Sequence, residues 1–282
     1  MGLQYRDQDY SNNFIEPYPD LLLLSDSNGK FYDASSNIDD QNNGNGKLCG
    51  FSHDASVGDF DNDGDIDIII ANGRHWPGQN KILFNNGKGG FTVERNLGAE
   101  RLTSYAAELS DFDGDGDLDI AVGNDKAPNY IFINDGKGNF NKRVLFGKGN
   151  DNTRAIEIGD FNSDGYKDIA TANINEPNII YFGDKTSKFK NNIVFDGSNS
   201  SSFSLAVNDF DGNGNLDIVV GNSPGSTKVY LNMSNGKEWK EEIVSKNNFR
   251  TYDIIDSDIN NDGKIDIMEA NTDENNFYFI NK

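Results

Sequence analysis

The sequence predicts an all-β fold, a β-propeller of four-stranded blades, on three observations. Acidic loops begin at Asp59, Asp111, Asp160, Asp209 and Asp258, so they recur at 52, 49, 49 and 49 residues. A period of about 40 to 50 residues belongs to propeller blades or to helical arrays. The runs after each loop, such as Ile68 to Ala71 and Ile120 to Gly123, are short, β-branched and punctuated by many of the 30 glycines, which decides for strands.

In chain order, the apolar stretch before each loop supplies a first strand, A, as in Ala55 to Val57 and Ala155 to Ile158. Strand B follows the loop at Ile68, Ile120, Ile169, Ile218 and Ile267. Strand C is read at Lys81 to Phe84, Tyr130 to Ile133, Ile179 to Phe182, Lys228 to Leu231 and Phe277 to Ile280. In the first two repeats C runs through Asn-Gly-Lys-Gly or Asp-Gly-Lys-Gly to an aromatic, a hairpin into strand D. Four strands per repeat, arranged radially, make a propeller. Asp20 to Leu24 and Lys30 to Tyr32 resemble strands C and D of a preceding blade, while the fifth repeat carries strands A to C. The expected strand count is therefore 21, and the blade number lies between five and seven. Residues 1–19 are expected to be a lead-in or degenerate blade segment, and residues 20–282 the propeller.

Composition narrows the partners. A formal charge of −21 opposes binding to a phosphate backbone, because nucleic-acid affinity rests on Lys and Arg neutralising phosphates. No apolar run approaches the roughly 18 residues that a membrane span requires. Cys49 is the single cysteine, so an intrachain disulfide and a cysteine-rich metal site are both excluded. The opening Met-Gly-Leu-Gln-Tyr-Arg-Asp has neither the charged nor the apolar region of a signal peptide.

The acids are not spread evenly; they follow one rule. Each loop places oxygen-bearing side chains at positions 1, 3, 5 and 9 and glycine at position 6. The first loop offers Asp59, Asp61, Asp63 and Asp67, and the second Asp111, Asp113, Asp115 and Asp119. The third offers Asp160, Asn162, Asp164 and Asp168, the fourth Asp209, Asp211, Asn213 and Asp217, and the fifth Asp258, Asn260, Asp262 and Asp266. A hard cation such as calcium takes about six to eight oxygens, which alternating loop residues can converge on one point. Position 7 varies freely as Asp65, Asp117, Tyr166, Asn215 and Lys264, as expected of a residue that lends only its carbonyl. Position 9 is expected to offer both carboxylate oxygens. An EF-hand would need Glu at position 12, where four of the five loops have Ile70, Val122, Thr171 and Val220. The reading is about five calcium ions, one per loop.

The run Gly58-Asp-Phe-Asp-Asn-Asp-Gly-Asp-Ile-Asp-Ile and its four copies resemble the FG-GAP/VCBS repeat of integrin α-chain propellers and many secreted bacterial proteins. The resemblance covers roughly residues 20 to 282. It implies a propeller, usually of seven blades, with calcium in the A to B loops, in an extracellular or cell-surface setting, often serving adhesion or carbohydrate recognition. The integrin-type Phe-Gly and Gly-Ala-Pro signatures are absent or weak here, so integrin-type partner binding is not carried over.

Two features outside the loops point to a ligand. At the start of each strand A a small hydroxyl residue precedes a large planar one: Ser52-His53, Ser104-Tyr105, Thr153-Arg154, Ser202-Phe203 and Thr251-Tyr252. Strand A is innermost in a propeller, so His53, Tyr105, Arg154, Phe203 and Tyr252 are expected at the channel mouth away from the metals; inter-blade packing explains them equally well. The second feature is a three-residue insertion in the first B to C loop, which carries Arg74, His75 and Trp76 on that same face. Aromatic faces with Arg and His suit recognition of a glycan or a protein. The Asn that recurs five residues after each closing Asp, at Asn72, Asn124, Asn173, Asn222 and Asn271, is expected to stabilise the turn into that loop.

No G-x-S-x-G elbow, phosphate-binding glycine loop or H-E-x-x-H element is present. Glu108 and Glu157 on adjacent A strands lack a partner motif for acid–base catalysis. The leading expectation is a calcium-stabilised recognition or adhesion module. The alternatives are a carbohydrate-active enzyme, or the non-catalytic propeller of one, and a calcium-rigidified spacer.

Overall fold

The computed structural model describes residues 21–26, 28–38, 52–73 and 76–282. The described residues hold 21 strands and one short 3-10 turn. Four sheets have four strands each in chain order. Blade 1 is β3 (Ser52–Gly58), β4 (Asp67–Asn72), β5 (Lys81–Phe84) and β6 (Val93–Asn96), and blade 2 is β7 (Ser104–Ser110), β8 (Asp119–Asn124), β9 (Asn129–Ile133) and β10 (Lys142–Phe146). Blade 3 is β11 (Thr153–Gly159), β12 (Asp168–Asn173), β13 (Asn178–Phe182) and β14 (Asn191–Asp196). Blade 4 is β15 (Ser202–Asn208), β16 (Asp217–Asn222), β17 (Gly225–Asn232) and β18 (Trp239–Phe249). Blade 5 is the three-stranded sheet β19 (Thr251–Ser257), β20 (Asp266–Asn271) and β21 (Phe277–Phe279). A hairpin of β1 (Leu23–Ser25) and β2 (Phe31–Asp33) precedes them, as the strand C and D pattern predicts.

Every neighbouring pair within a sheet is antiparallel, and the register repeats from blade to blade. Ser52 pairs with Asn72, Ser104 with Asn124, Thr153 with Asn173, Ser202 with Asn222 and Thr251 with Asn271. A bulge follows at once in all five, one residue before strand A resumes. The strand C to D connection in blade 1 is longer than a tight two-residue hairpin. Asn86 N donates to Gly90 O at 3.0 Å, and Gly87 and Gly89 take left-handed φ of 75° and 71° that a side chain would strain.

Blades pack face to face, which is why strands B and C read as nearly continuous apolar runs. Ile69 and Ile82 of blade 1 meet Ala107, Ile120 and Val122 of blade 2. Ala121 and Ile131 meet Ile156, Ile169 and Ile179; Ala170 and Ile180 meet Leu205, Ile218 and Val220; Val219 and Val229 meet Ile254 and Ile267. The aromatic at loop position 2 plugs each interface: Phe60, Phe112, Phe161 and Phe210 are all buried. Ile38, Phe91 and Leu22 cover Ile70 and Leu83 on the other side of blade 1, so the N-terminal hairpin lies where a preceding blade would.

Candidate metal loops and the channel mouth

Each A to B loop is wound around its first Asp. Asp59 Oδ1 accepts from Asp63 N at 3.2 Å and its Oδ2 from Gly64 N at 2.9 Å. Asp160 takes Asp164 N and Gly165 N at 3.1 and 2.9 Å, and Asp258 takes Asp262 N and Gly263 N at 3.0 and 2.9 Å. Asp111 holds Gly114 N and Gly116 N, and Asp209 holds Gly212 N, Asn213 N and Gly214 N. The position-6 glycines have φ of 85° to 94°, the left-handed turn expected of them. Position 5 then accepts from the N–H of position 7 in every loop, through Asp63, Asp115, Asp164, Asn213 and Asp262.

The outcome is a cradle of oxygens. Asp59, Asp61 and Asp67 bring ligand atoms within 4.8 Å of one another, as do Asp111, Asp113 and Asp115, and Asp209, Asp211 and Asp217. In the third and fifth loops position 3 is an amide, and Asn162 and Asn260 each donate to the position-5 carboxylate, Asp164 or Asp262, at 3.0 Å. Position 7 side chains point to other work. Asp117 Oδ1 accepts from Asn62 of blade 1 at 2.7 Å, Asn215 donates to Asn232 O at 3.0 Å, the Asp65 carboxylate lies against Gly87 of the strand C to D turn, and Tyr166 is exposed.

The donor set fits a hard divalent cation. Asp61 Oδ1 is buried without any hydrogen-bond partner, an orphaned acceptor facing Asp59 and Asp63. Burial and those two like charges push its carboxyl above the usual range. Burial, reinforced by the loop's own acids, also raises Asp119 to about 6, Asp168 to about 7 and Asp217 to about 6. A bound divalent cation would reverse that electrostatic cost. Positions 1, 3, 5 and 9 would supply side-chain oxygens, and position 7 its carbonyl.

Position 9 has a second role that the sequence alone does not reveal. Asp67 Oδ2 accepts from Phe60 N at 3.0 Å and its Oδ1 from Asn85 N at 2.8 Å. Asp119 does the same with Phe112 N and Asn134 N, and Asp168 with Phe161 N and Gly183 N. Asp217 holds Phe210 N and Asn232 N, and Asp266 holds Ile259 N and Asn281 N. Both oxygens of the closing Asp thus fasten the metal loop to the end of strand C. Each oxygen retains one further acceptor direction for a cation. In blades 2, 4 and 5 the side chain of that residue carries the stitch to the preceding blade, while in blade 3, where the residue is Gly183, Ser187 Oγ makes it by donating to Phe112 O at 3.2 Å. Asn134 Nδ2 donates to Phe60 O at 2.8 Å, Asn232 Nδ2 to Phe161 O at 2.8 Å, and Asn281 Nδ2 to Phe210 O at 2.6 Å.

At the opposite ends of the A strands, the hydroxyl residues and the recurrent Asn form one hydrogen-bond ladder. Ser52 Oγ donates to Asn72 Oδ1 at 2.9 Å, and Ser104, Thr153, Ser202 and Thr251 repeat the contact with Asn124, Asn173, Asn222 and Asn271. The Asn amides donate across the B to C turn, for example Asn124 Nδ2 to Pro128 O at 2.7 Å, which is the expected turn role. A second Asn, at the start of strand C, crosses to the next blade. Asn80 donates to Ser104, Asn129 to Thr153 and Asn178 to Ser202 at 2.8 to 2.9 Å. Blade 4 has Thr227 at that position, buried and with its Oγ1 unpartnered.

The planar residues at the starts of the A strands lie against one another. The Arg154 guanidinium carbon lies 4.0 Å from the Tyr105 ring centre, 4.6 Å from Phe203 and 5.5 Å from Tyr252. His53 sits 4.6 Å from Tyr105 edge-on, with its Nδ1 2.8 Å from Tyr105 O. Side chains from five blades therefore form one stack, in which Arg154 and Tyr105 are buried and Tyr252 is exposed. Trp76 is exposed on the inserted loop, while Arg74 and His75 lie outside the described residues. Nearer the middle of the A strands stand Asp54, Glu108, Glu157, Asp253 and Asp256. Burial and mutual repulsion raise Glu108 to about 7 and Glu157 to about 8.

Repeated four-stranded antiparallel sheets, packed through their faces with an acidic loop between strands A and B, define a β-propeller-type repeat protein. The chain belongs to the FG-GAP-like repeat family, whose pattern matches residues 59–122, 111–171, 160–220 and 209–269. Each match runs from one acidic loop to strand B of the next blade, so the matched unit spans an inter-blade interface. No match is found among curated proteins.

Two solved structures share the fold, and a third resembles part of the chain more loosely. Two crystal structures of BBS1N in complex with ARL6DN, one soaked with lead and one with mercury, are 13% and 12% identical to this chain. They cover 77% and 90% of it, and 64% of their own chain in each case, with TM-scores of 0.50 and 0.51. The biofilm matrix protein Bap1 of V. cholerae is 21% identical over 78% of this chain and 35% of its own, with a TM-score of 0.47. The chain thus spans about a third of Bap1 and just under two thirds of the BBS1N chains. Among the described residues no helix is long and apolar enough to cross a membrane.

Proposed function

We propose that this chain is a calcium-stabilised recognition or adhesion module of the extracellular space or cell surface, binding a glycan or protein ligand. One observation carries the reading: the same oxygen cradle recurs in five loops, three of them gathering three carboxylates within 4.8 Å. Such a cradle, buried enough to orphan Asp61 Oδ1, is costly without a cation and becomes a rigid joint between strands A and B with one. About five calcium ions would reduce the formal charge from −21 to −11. Residues 20–282 would then act as one propeller domain, with residues 1–19 leading into it.

Ligand contact is assigned to the face opposite the metals. Trp76 is exposed on the inserted loop, whose Gly73 bridges to Ser104, the residue before Tyr105 of the stack, with Arg74 and His75 adjacent in sequence. This supports assigning Trp76, Arg74 and His75 to one ligand surface with His53, Tyr105, Arg154, Phe203 and Tyr252. Aromatic surface on a rigid scaffold suits sugar rings and apolar side chains. The test is calorimetric titration of the chelator-stripped chain with calcium, followed by a glycan array in calcium for the native chain and Trp76→Ala. Calcium binding with loss of array signal in Trp76→Ala supports both parts. No calcium uptake removes the metal reading, and an unchanged array signal removes the ligand site.

A further inference from the structure

The wedge between blades 1 and 2 is built differently from the two that follow it. Blades diverge toward their outer strands, so the strand D residue paired with the buried strand C residue has to fill the opening gap. In blade 2 that residue is Val144, paired with Ile131, and in blade 3 it is Ile193, paired with Ile180; both pack against the interface core. In blade 1 the same place, opposite Ile82, is held by Arg95. The facing position of blade 2, opposite Phe132, is a second arginine, Arg143, where blades 3 and 4 have Asn192 and Glu241. The two arginines line a cavity of about 410 Å³, with Phe132 and Phe140 on its apolar side and Asn96, Asn139 and Asn141 on its polar side.

The two guanidiniums are not equivalent. Arg143 lies over the Tyr130 ring at 4.2 Å and is neutralised by Glu100, whose oxygens accept from its Nη1 and Nη2 at 2.6 and 2.7 Å. Arg95 lies over the Phe84 ring at 4.5 Å, and its Nη1 donates to Lys137 O, Gly138 O and Asn139 Oδ1 at 3.0 to 3.3 Å, all on the strand C to D turn of blade 2. Those acceptors are neutral. Among the described residues Arg95 has no ion pair, and its Nε and Nη2 have no acceptor. Asp61 of the first metal loop feels its charge only through space. A guanidinium fixed by a ring and three acceptors keeps one edge of its fork for a planar carboxylate, with little side-chain entropy left to lose. The aromatic lining and the three amides, each both donor and acceptor, match a ring that carries hydroxyls. We infer that this cavity binds a carboxylated sugar, a uronic acid residue, with Arg95 taking the carboxylate and the Asn amides the hydroxyls. The charge of −21 repels polyanions, so the fitting ligand is an isolated or terminal uronate on an otherwise neutral glycan. The cavity shares no residue with the channel-mouth surface proposed above, and the two assignments stand or fall separately.

The test is titration of the full chain in calcium, followed by saturation-transfer NMR, with the methyl glycosides of glucuronic and galacturonic acid. The methyl glycosides of glucose and galactose, acetate and sulfate are the comparison arms. At least one uronide should bind at least about tenfold more tightly than its neutral counterpart, the factor that one charge-assisted pair supplies. Arg95→Val gives blade 1 the residue type that Val144 supplies in blade 2, so it should melt no lower than the native chain while losing uronide affinity by at least about tenfold. Arg95→Lys keeps the charge without the fork and should lose part of that affinity. Three results overturn the inference. One is that neither uronide binds more tightly than its neutral counterpart. Another is displacement of the uronide by acetate or sulfate at equal concentration, which would make the cavity a plain anion site. The third is native uronide affinity in Arg95→Val, or in Arg95→Lys should Arg95→Val not fold.

Discussion

Replacing Glu157 with Gln is expected to stabilise the chain by an amount that grows with pH. Glu157 stands on strand β11 with Glu108, Asp54, Asp253 and Asp256 around it, and burial is the largest cause of its raised ionisation, from 4.5 to about 8. Asp54 accepts from Ala107 N, Asp253 from Ser204 Oγ and Asp256 from Asn208 Nδ2, whereas neither Glu108 nor Glu157 has such a donor. The cation of the same strand, Arg154, is held in the aromatic stack at the strand's start. Below pH ~4.5 both folded and unfolded chains hold the proton, and Glu157 costs nothing. Between there and about 8 the unfolded chain releases the proton while the native chain keeps it, so stability falls as pH rises. The full cost is reached above the folded value. At ~1.4 kcal/mol per pH unit it has an upper bound of ~4 to 5 kcal/mol, and proton sharing with Glu108 reduces it to roughly 1–3 kcal/mol. For a chain of this size that corresponds to several degrees, at ~2–4 °C per kcal/mol. Thermal melts of both chains at pH 5, 6.5, 8 and 9 in constant calcium read the difference. Its expected course is near zero at pH 5 and largest at pH 8 to 9. A Glu157→Gln chain no more stable than the native one at pH 9, or a difference independent of pH, would refute a buried ionised Glu157.

Other outcomes follow from the loops and the ladder. Chelation should lower the melting temperature well below its value in millimolar calcium, since metal bound only to the native state stabilises by mass action; coincident melts would contradict the metal reading. Calcium titration should resolve at least two affinity classes, and Asp61→Asn should weaken its site more than Asn260→Ala weakens the fifth, because fewer charges attract the ion; equal losses would mean that loop rigidity outweighs charge. Thr227→Asn should extend the ladder by giving Thr251 Oγ1 the donor that Ser104, Thr153 and Ser202 already have, for a gain of about 1 kcal/mol in denaturant melts. A loss of stability there would show that the blade 4 to 5 interface is shaped around threonine. Asp119→Asn should cost ~2–4 kcal/mol even in chelator, because the amide cannot accept from both Phe112 N and Asn134 N; no loss in chelator would reduce Asp119 to a metal ligand.

Much of this chain is legible in the linear sequence because its governing interactions are local. A nine-residue loop closes through its own N–H groups, so the spacing Asp59, Asp61, Asp63, Gly64, Asp67 specifies its shape without any distant partner. Strand alternation and the 49-residue period likewise announce blades, and all 21 expected strands are found. The tertiary structure decided what crosses between blades. The two-sided grip of Asp67 and its copies depends on strand C, 15 to 18 residues away, and the Asn134 to Phe60 stitch spans 74 residues. No spacing rule signals such contacts, because register and inter-blade packing set them together. The hydroxyl and planar pairs show the division within single dipeptides. Ser104 turns out to be a ladder rung and Tyr105 a buried stacking partner, roles that exist only once five inner strands bring Arg154 among rings from three other blades.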